Sequence, residues 1–536
     1  MAKGMRTGLI LILVLCASCL VSCGETAVNY AYRNADCGAN PVRIVSATSR
    51  EDSEQARCAY QEHVAPDTPP DAPARYDLAF LEFGDHPAAR LSDSQFLLIK
   101  SQIRQNRQAG RDTVLVAYVH GWRHDAEVNN RDVQGFRTML NYTRSFLDQR
   151  GRMADTTEVL GVYIGWRGRQ HDEETERKSN FPSIIPAAFT LGERKAISET
   201  LSEIVIADLR DIQSELDLDN SDDRMIVMGH SLGGNLLATG LMTELEEDLR
   251  RHGQDHRGQA FQPPLGNLTV LFNPAAESQK WTRLQLAMRD GAGLSPEWSR
   301  LLDPAETSLE TLFPATQKPV YISITSICDK WGPEERSGDG LLNCDWATGY
   351  LFPLASHFSN SIDSNDRITI GYARANYYVT NRDGVKRWEI DGPAIGADFD
   401  IITNARAGGL STYVNANVPD TSLCAPQGNW LYDARVSQIQ GNHHNAGRGW
   451  DVEAGPRVKP EKGQSTALVQ IRHDVSLPRP FWHNGVGLAP SVAPANGPLW
   501  NMRAHGSVID DHRGLVNYPL WCVLNQILLD DVAAAN

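Results

Sequence analysis

The run Met225-Ile226-Val227-Met228-Gly229-His230-Ser231-Leu232-Gly233-Gly234-Asn235 sets a serine between glycines two positions before and two after it. A serine hydroxyl attacks an acyl carbon only when a base takes its proton and donors hold the charge that develops on the attacked oxygen. The spacing G-x-S-x-G suits a sharp, strained turn from a strand into a helix, where bulkier flanking residues would collide. Met225 to Met228 reads as the apolar strand, and the segment from Leu236 to about Arg250 reads as the helix. In such a turn the residue after the serine supplies the first oxyanion donor, here the Leu232 N–H. A second donor is expected from the loop after an earlier strand. Tyr118-Val119-His120-Gly121-Trp122 ends an apolar strand in His-Gly and offers the Trp122 N–H.

These residues need a scaffold that brings loop ends together, and the chain has the rhythm for one. Apolar runs at 76–83, 113–119, 159–166, 225–228, 268–272 and 320–324 read as strands. Those at 113–119 and 159–166 are nearly continuous, as in strands buried on both faces of a parallel sheet. Helical spacing is expected between them, with Phe96, Ile99 and Ile103 on one face, then Val133, Phe136, Met139 and Leu140, then Ile197, Leu201, Val205 and Leu209 over 193–216. Strands alternating with helices predict an α/β fold, a mostly parallel sheet flanked by helices. Sites in such sheets lie at the carboxyl ends of strands, where Ser231 and His120 to Trp122 fall. The rhythm fades over 355–495, a Gly-, Asn-, Pro- and Trp-containing stretch read as a large irregular insertion or cap. A strand at 499–503 and a helix at 518–529 return to the core. The expected organisation is 1–22 leader, 23–74 tether or extension with a Pro-rich linker at 65–73, 75–354 core, 355–495 insertion and 496–536 C-terminal core.

His-Gly-Trp after one strand and Gly-His-Ser-Leu-Gly-Gly after another resemble the α/β-hydrolase superfamily on its lipase and esterase side. Leu81-Glu82-Phe83, Ile164-Gly165-Trp166-Arg167-Gly168, Phe272-Asn273-Pro274-Ala275, Asp345-Trp346-Ala347-Thr348-Gly349 and Asp510-Asp511-His512 belong to the same resemblance. It covers roughly residues 75–355 and 495–530. It implies an α/β-hydrolase fold, a chain order of serine, acid and histidine, and hydrolysis of a hydrophobic or acyl-ester substrate through an acyl-enzyme, with no cofactor. His512, after Val508-Ile509 and before the last helix, occupies the position of the base; His505 is the nearest competitor among His357, His443, His444, His473 and His483. The acid stays open between Asp329, a few residues after the 320–324 strand, and Asp345, which begins the Asp-Trp-Ala-Thr-Gly run. Glu277 is a distant third with a structural role expected. The bland alternative is a binding module that keeps the fold without the chemistry; a peptidase or thioesterase on the same triad is the catalytic one.

The first residues resemble a bacterial lipoprotein leader. Lys3 and Arg6 precede an apolar Leu9–Leu15 stretch too short to span a bilayer, followed by Leu20-Val21-Ser22-Cys23-Gly24. That pattern implies a lipid on Cys23 and membrane attachment in the cell envelope, with the outer membrane implied by the residues after the cysteine. Of nine cysteines, Cys16 and Cys19 would leave with the leader. Cys37, Cys58, Cys328, Cys344, Cys424 and Cys522 then form an even set, suited to disulfides in an oxidising compartment. The most local pairing is Cys37–Cys58, Cys328–Cys344 and Cys424–Cys522. None has metal-ligand spacing, and the His443-His444 pair lacks an acidic or cysteine partner, so no metal is expected. A net charge of −15 provides no basic stripe for phosphates and argues against a nucleic-acid partner.

Overall fold

The computed structural model describes residues 31–37, 42–45, 54–64, 73–85, 89–148, 155–168, 184–294, 309, 311–314, 317–326, 377–382, 385–390, 399–403, 451–454, 469–473, 496–504, 520–521, 524–525 and 527–529. In chain order the first part runs β1 (Val42–Val45), β2 (Tyr60–Val64), β3 (Tyr76–Gly84), β4 (Ala89–Arg90), α1 (Asp93–Gln108), β5 (Asp112–Val119), α2 (Arg131–Leu147) and β6 (Thr157–Gly165). Then come α3 (Ile184–Gln213), β7 (Arg224–His230), α4 (Leu232–Asp255), β8 (Leu268–Phe272), α5 (Ser278–Gly291) and β9 (Tyr321–Ser326). Among the described residues there follow the strands β10 (Tyr377–Arg382), β11 (Val385–Ile390), β12 (Phe399–Thr403), β13 (Asp451–Ala454), β14 (Val469–His473) and β15 (Leu499–Ala504), and helical residues at 520–521, 524–525 and 527–529.

A 13-stranded sheet runs in the order β1-β2-β3-β6-β5-β7-β8-β9-β15-β12-β14-β13, with β4 paired to β3. From β3 to β12 every neighbouring pair is parallel. Antiparallel pairs occur toward the two edges, β2 on β3 and β14 on β12. The chain is therefore of the α/β class with a mostly parallel sheet.

The connections explain where the helices lie. From β5 the chain steps one way to β6, then crosses back over β5 to β7 and continues to β8 and β9. Crossovers of a single hand that step in opposite directions must put their helices on opposite faces. Side-chain alternation shows the result. Val114, Val116 and Tyr118 of β5 join a core with Phe136, Met139 and Leu140 of α2, and with Leu520, Trp521 and Leu524. Leu115, Ala117 and Val119 join the other core, with Ile99 of α1, Leu201 of α3, Leu237 of α4 and Trp281 of α5. Both faces of the central strands are thus dry, which is why their sequences read as unbroken apolar runs. Emptying such a position, as in Leu140→Ala, typically costs about 2–5 kcal/mol.

Local chemistry sets the helix starts. Asn130 caps α2 by accepting from the Asp132 N–H at 3.0 Å. Ser92 caps α1 from Gln95 N–H at 3.4 Å. The structure departs from expectation in four places. α3 begins at Ile184 rather than near 193, and α4 begins immediately after the serine rather than near Leu236. Within the 355–495 stretch, β12, β13 and β14 extend the main sheet beyond β15, while β10 and β11 form a separate antiparallel pair. Short strands with little alternation carry too weak a pattern to be told from loop by sequence. The 23–74 stretch likewise supplies β1 and β2 to the sheet edge, and Cys37 and Cys58 are joined by a disulfide. Among the described residues no helix is long and apolar enough to cross a membrane.

Candidate active site

Ser231 stands alone between the end of β7 and the start of α4, with φ 53° and ψ −116°. Few non-glycine residues adopt this backbone, and it costs about 1–3 kcal/mol. Neighbouring backbone groups hold it there. The Ser231 N–H donates to the Phe272 carbonyl at 2.9 Å, and its own carbonyl accepts from Asn235 N–H at 3.1 Å and Ala275 N–H at 3.0 Å. The serine sits at the helix N-cap, yet its side chain makes no capping bond. A serine placed for stability would normally spend its oxygen on the helix. The flanking glycines meet the steric demand read from the sequence. A Cβ at Gly229 would lie 2.5 Å from the Gly233 carbonyl oxygen, and one at Gly233 would lie 2.6 Å from that of His120.

The second contribution comes from the loop after β5. A Cβ at Gly121 would sit 2.8 Å from the Ser231 Cβ and 3.0 Å from the His230 carbonyl oxygen. Glycine is what lets this loop lie against the serine, with Trp122 the next residue. β5 and β7 are neighbours whose onward connections leave in opposite directions, to β6 and to β8. Their carboxyl ends therefore flank a topological switch point, the place where open α/β sheets leave a crevice.

His120 locks that loop. Its Nε2 accepts from the Trp166 backbone N–H at 3.0 Å, so the ring proton lies on Nδ1, which donates to the Gly121 carbonyl at 2.9 Å. The Trp166 indole N–H returns a bond to the His120 carbonyl at 2.9 Å, and the two rings stack at 5.5 Å. Burial lowers the His120 pKa to about 4, so the imidazole is neutral at physiological pH. Arg123, at φ 68°, donates its N–H to the Gly168 carbonyl at 2.7 Å, and Gly168 N–H donates to the His124 carbonyl at 3.0 Å. Arg194 of α3 fixes the partner loop in turn, through the Arg167 carbonyl at 3.0 Å and the buried Asp85 carboxylate at 2.5 Å.

No family model matches the chain, and no curated protein matches its sequence. Among solved structures, esterase B from Lactobacillus rhamnosis is similar at 15% identity over 41% of this chain, with a TM-score of 0.13. This chain spans 57% of that esterase's length. An overlap so slight carries no argument.

Two charged groups surround the serine's turn. Burial alone would raise the Asp132 carboxyl, but the rings of His124, His230 and His120 outweigh it and hold it below the ordinary carboxylate value. The His124 Nε2 lies 3.9 Å from Asp132 Oδ1. On the opposite face of the sheet, Glu277 lies 2.7 Å from Lys195 and 3.0 Å from Lys280. Burial would raise Glu277, and the two ammonium groups bring it below its usual value instead. Lys280 also donates to Asn235 Oδ1 at 2.7 Å, tying this cluster to the first turn of α4. Glu277 thus has a structural occupation.

Of the residues expected to do chemistry, Ser231, Leu232 and Trp122 lie in this region. Leu232 is the first residue of α4, where helix N–H groups have no intrahelical acceptor. His512, Asp329, Asp345 and Cys23 lie outside the described residues, as do His505, Cys328, Cys344, Cys424 and Cys522. Sequence reasoning assigned no part to Trp166 as the partner of His120, or to Asp132. The signal for Trp166 was its place in the Ile164-Gly165-Trp166 run. Among the described residues no group of His, Cys, Asp and Glu is arranged to hold a metal ion.

Proposed function

We propose that this chain is a serine hydrolase of the α/β-hydrolase fold that cleaves carboxylic esters through an acyl-enzyme. The observation that carries the reading is the backbone of Ser231. It is held at φ 53° by three backbone hydrogen bonds, spends no side-chain bond on its helix, and faces Gly121 across the switch point. A stable fold has no use for that strain at a serine, whereas a nucleophile presented on a sharp strand-to-helix turn needs it.

In the proposed reaction the Ser231 Oγ adds to the ester carbonyl while His512 takes its proton. The Leu232 and Trp122 N–H groups hold the oxyanion, each donor being worth about a hundred- to a thousandfold in rate. The C–O bond to the alcohol breaks as His512 returns the proton to the leaving oxygen. Water then adds to the acyl-serine with His512 again as base, releasing the acid and restoring Ser231. Asp329 or Asp345 orients His512 and stabilises its charged form. The Cys37–Cys58 disulfide supports an oxidising compartment, in keeping with a lipid anchor on Cys23 in the cell envelope.

Hydrolysis of p-nitrophenyl esters of increasing acyl length tests the reading. Turnover in the wild type that falls by several orders of magnitude in Ser231→Ala supports it, and equal turnover in the two proteins overturns it. Of Asp329→Asn and Asp345→Asn, one alone is expected to cost about ten-thousandfold.

A further inference from the structure

The loop that carries Gly121 and Trp122 is tied to a segment far from it in sequence. Residues 120–130 form no helix or strand. Into this loop reaches Arg33, whose side chain is buried. Its Nε–H donates to the Ala126 carbonyl at 2.6 Å and one terminal nitrogen donates to the Glu127 carbonyl at 3.2 Å. The other terminal nitrogen donates to the Ala56 carbonyl, and the guanidinium lies 3.9 Å from the centroid of the Phe80 ring. One planar fork therefore joins the N-terminal segment, the turn at Glu54–Arg57 and the loop over Ser231.

The segment bearing Arg33 is itself latched to the sheet. The Tyr32 and Arg33 N–H groups donate to the two carboxylate oxygens of Glu82 in β3, at 2.8 and 2.9 Å. Gln95 of α1 donates to both the Arg33 carbonyl and Glu82 Oε1, each at 2.9 Å. The same glutamine accepts from the Glu82 N–H at 2.9 Å. Asn34 continues the contact as a bridge to Cys58, and the Cys37–Cys58 disulfide closes the segment beyond it. The anchor is held by side-chain and backbone hydrogen bonds and a disulfide where the loop it holds is not regular.

Burying a guanidinium is expensive, and an apolar side chain would fill the same space at lower cost. What only the guanidinium provides is a fixed set of donors at set angles. Here those donors go to backbone carbonyls, and two of the three lie in the loop over the serine.

We propose that Arg33 is a positioning residue of the active site, with the N-terminal segment a strap that sets the oxyanion loop. The proposal rests on Ser231 being the nucleophile. Arg33 touches no substrate. It acts through Ala126 and Glu127 on the placement of Gly121 and the Trp122 N–H, and a displacement of about 1 Å in such a donor costs roughly a hundredfold in rate. The strap's effect falls on the step that generates the oxyanion and leaves substrate binding alone.

The test uses the full chain and compares kcat and KM on a p-nitrophenyl ester for wild type, Arg33→Met, Arg33→Lys and Glu82→Gln. Arg33→Met is expected to lower kcat about thirty- to a hundredfold with KM within twofold, measured well below its unfolding temperature. Arg33→Lys, which returns one donating nitrogen without the planar fork, is expected to recover part of that loss. Glu82→Gln weakens the latch without touching the loop, and a kcat fall of about five- to tenfold is expected. Folded Arg33→Met with wild-type kcat overturns the proposal. Should that variant not fold, unchanged kcat in Glu82→Gln overturns it. A wild type without Ser231-dependent turnover would count against the hydrolase reading itself, which separates the two failures.

Discussion

Gly121 and Ser231 are in contact across the carboxyl ends of β5 and β7, so closely that a methyl group on Gly121 would lie 2.8 Å from the serine Cβ. Real Cβ atoms do not approach that near, and one of the two must move. Gly121→Ala is therefore expected to lower ester turnover about a hundredfold or more while the sheet stays intact. Steady-state rates beside a thermal melt check this. Turnover within threefold of wild type would mean that the loop does not serve the serine.

His120 is a fastener rather than a base, since both ring nitrogens are engaged by Trp166 and Gly121. Replacing it should separate stacking from hydrogen bonding. His120→Phe keeps the stack on Trp166 and loses both bonds, whereas His120→Gln can accept and donate at similar places. The phenylalanine variant is expected to lose about ten- to a hundredfold in kcat, and the glutamine variant less. With its pKa lowered to about 4 by burial, His120 should leave no inflection in a rate profile between pH 5 and 8. Its effect on stability has a definite sign. The unfolded ring binds a proton near its ordinary value and the folded ring does not, so stability falls as pH drops toward about 4.

A separate pH dependence arises at the amino end of β3. Burial raises the Asp77 carboxyl to about 7, although the Tyr60 hydroxyl donates to it at 2.5 Å. The folded protein therefore holds a proton that the unfolded chain releases near pH 4. The stability this contributes is full below that value, falls as pH rises through about 7 and is flat above. Each unit of pH between the two values corresponds to about 1.4 kcal/mol, so the whole span is on the order of 4 kcal/mol. Asp77→Asn keeps an acceptor for Tyr60 and cannot ionise. Urea midpoints measured from pH 4.5 to 8.5 should show the variant gaining on wild type as pH rises. Parallel curves would contradict the buried, protonated Asp77.

What was legible in the sequence were features whose cause is local. The apolar runs became β3, β5, β6, β7, β8, β9 and β15 because burial on both faces leaves no room for polar alternation. The glycines around Ser231 were readable because a tight turn admits nothing larger. The Cys37–Cys58 pair was readable because it was the nearest possible partner. Other features depend on residues distant in sequence. Nothing near His120 announces that Trp166 closes on it, and nothing near Arg33 announces the loop at Ala126 and Glu127. The edge strands β1 and β2 sit in a polar stretch read as a tether, since strands this short take their stability from the neighbour they pair with.

The central claim is that Ser231 is an activated nucleophile, and a fluorophosphonate probe measures that property directly. The folded wild-type chain is predicted to take up one probe on Ser231, with labelling abolished in Ser231→Ala and slowed by orders of magnitude in His512→Ala. Folded wild type that takes up no probe, or Ser231→Ala that labels as fast as wild type, would contradict the account.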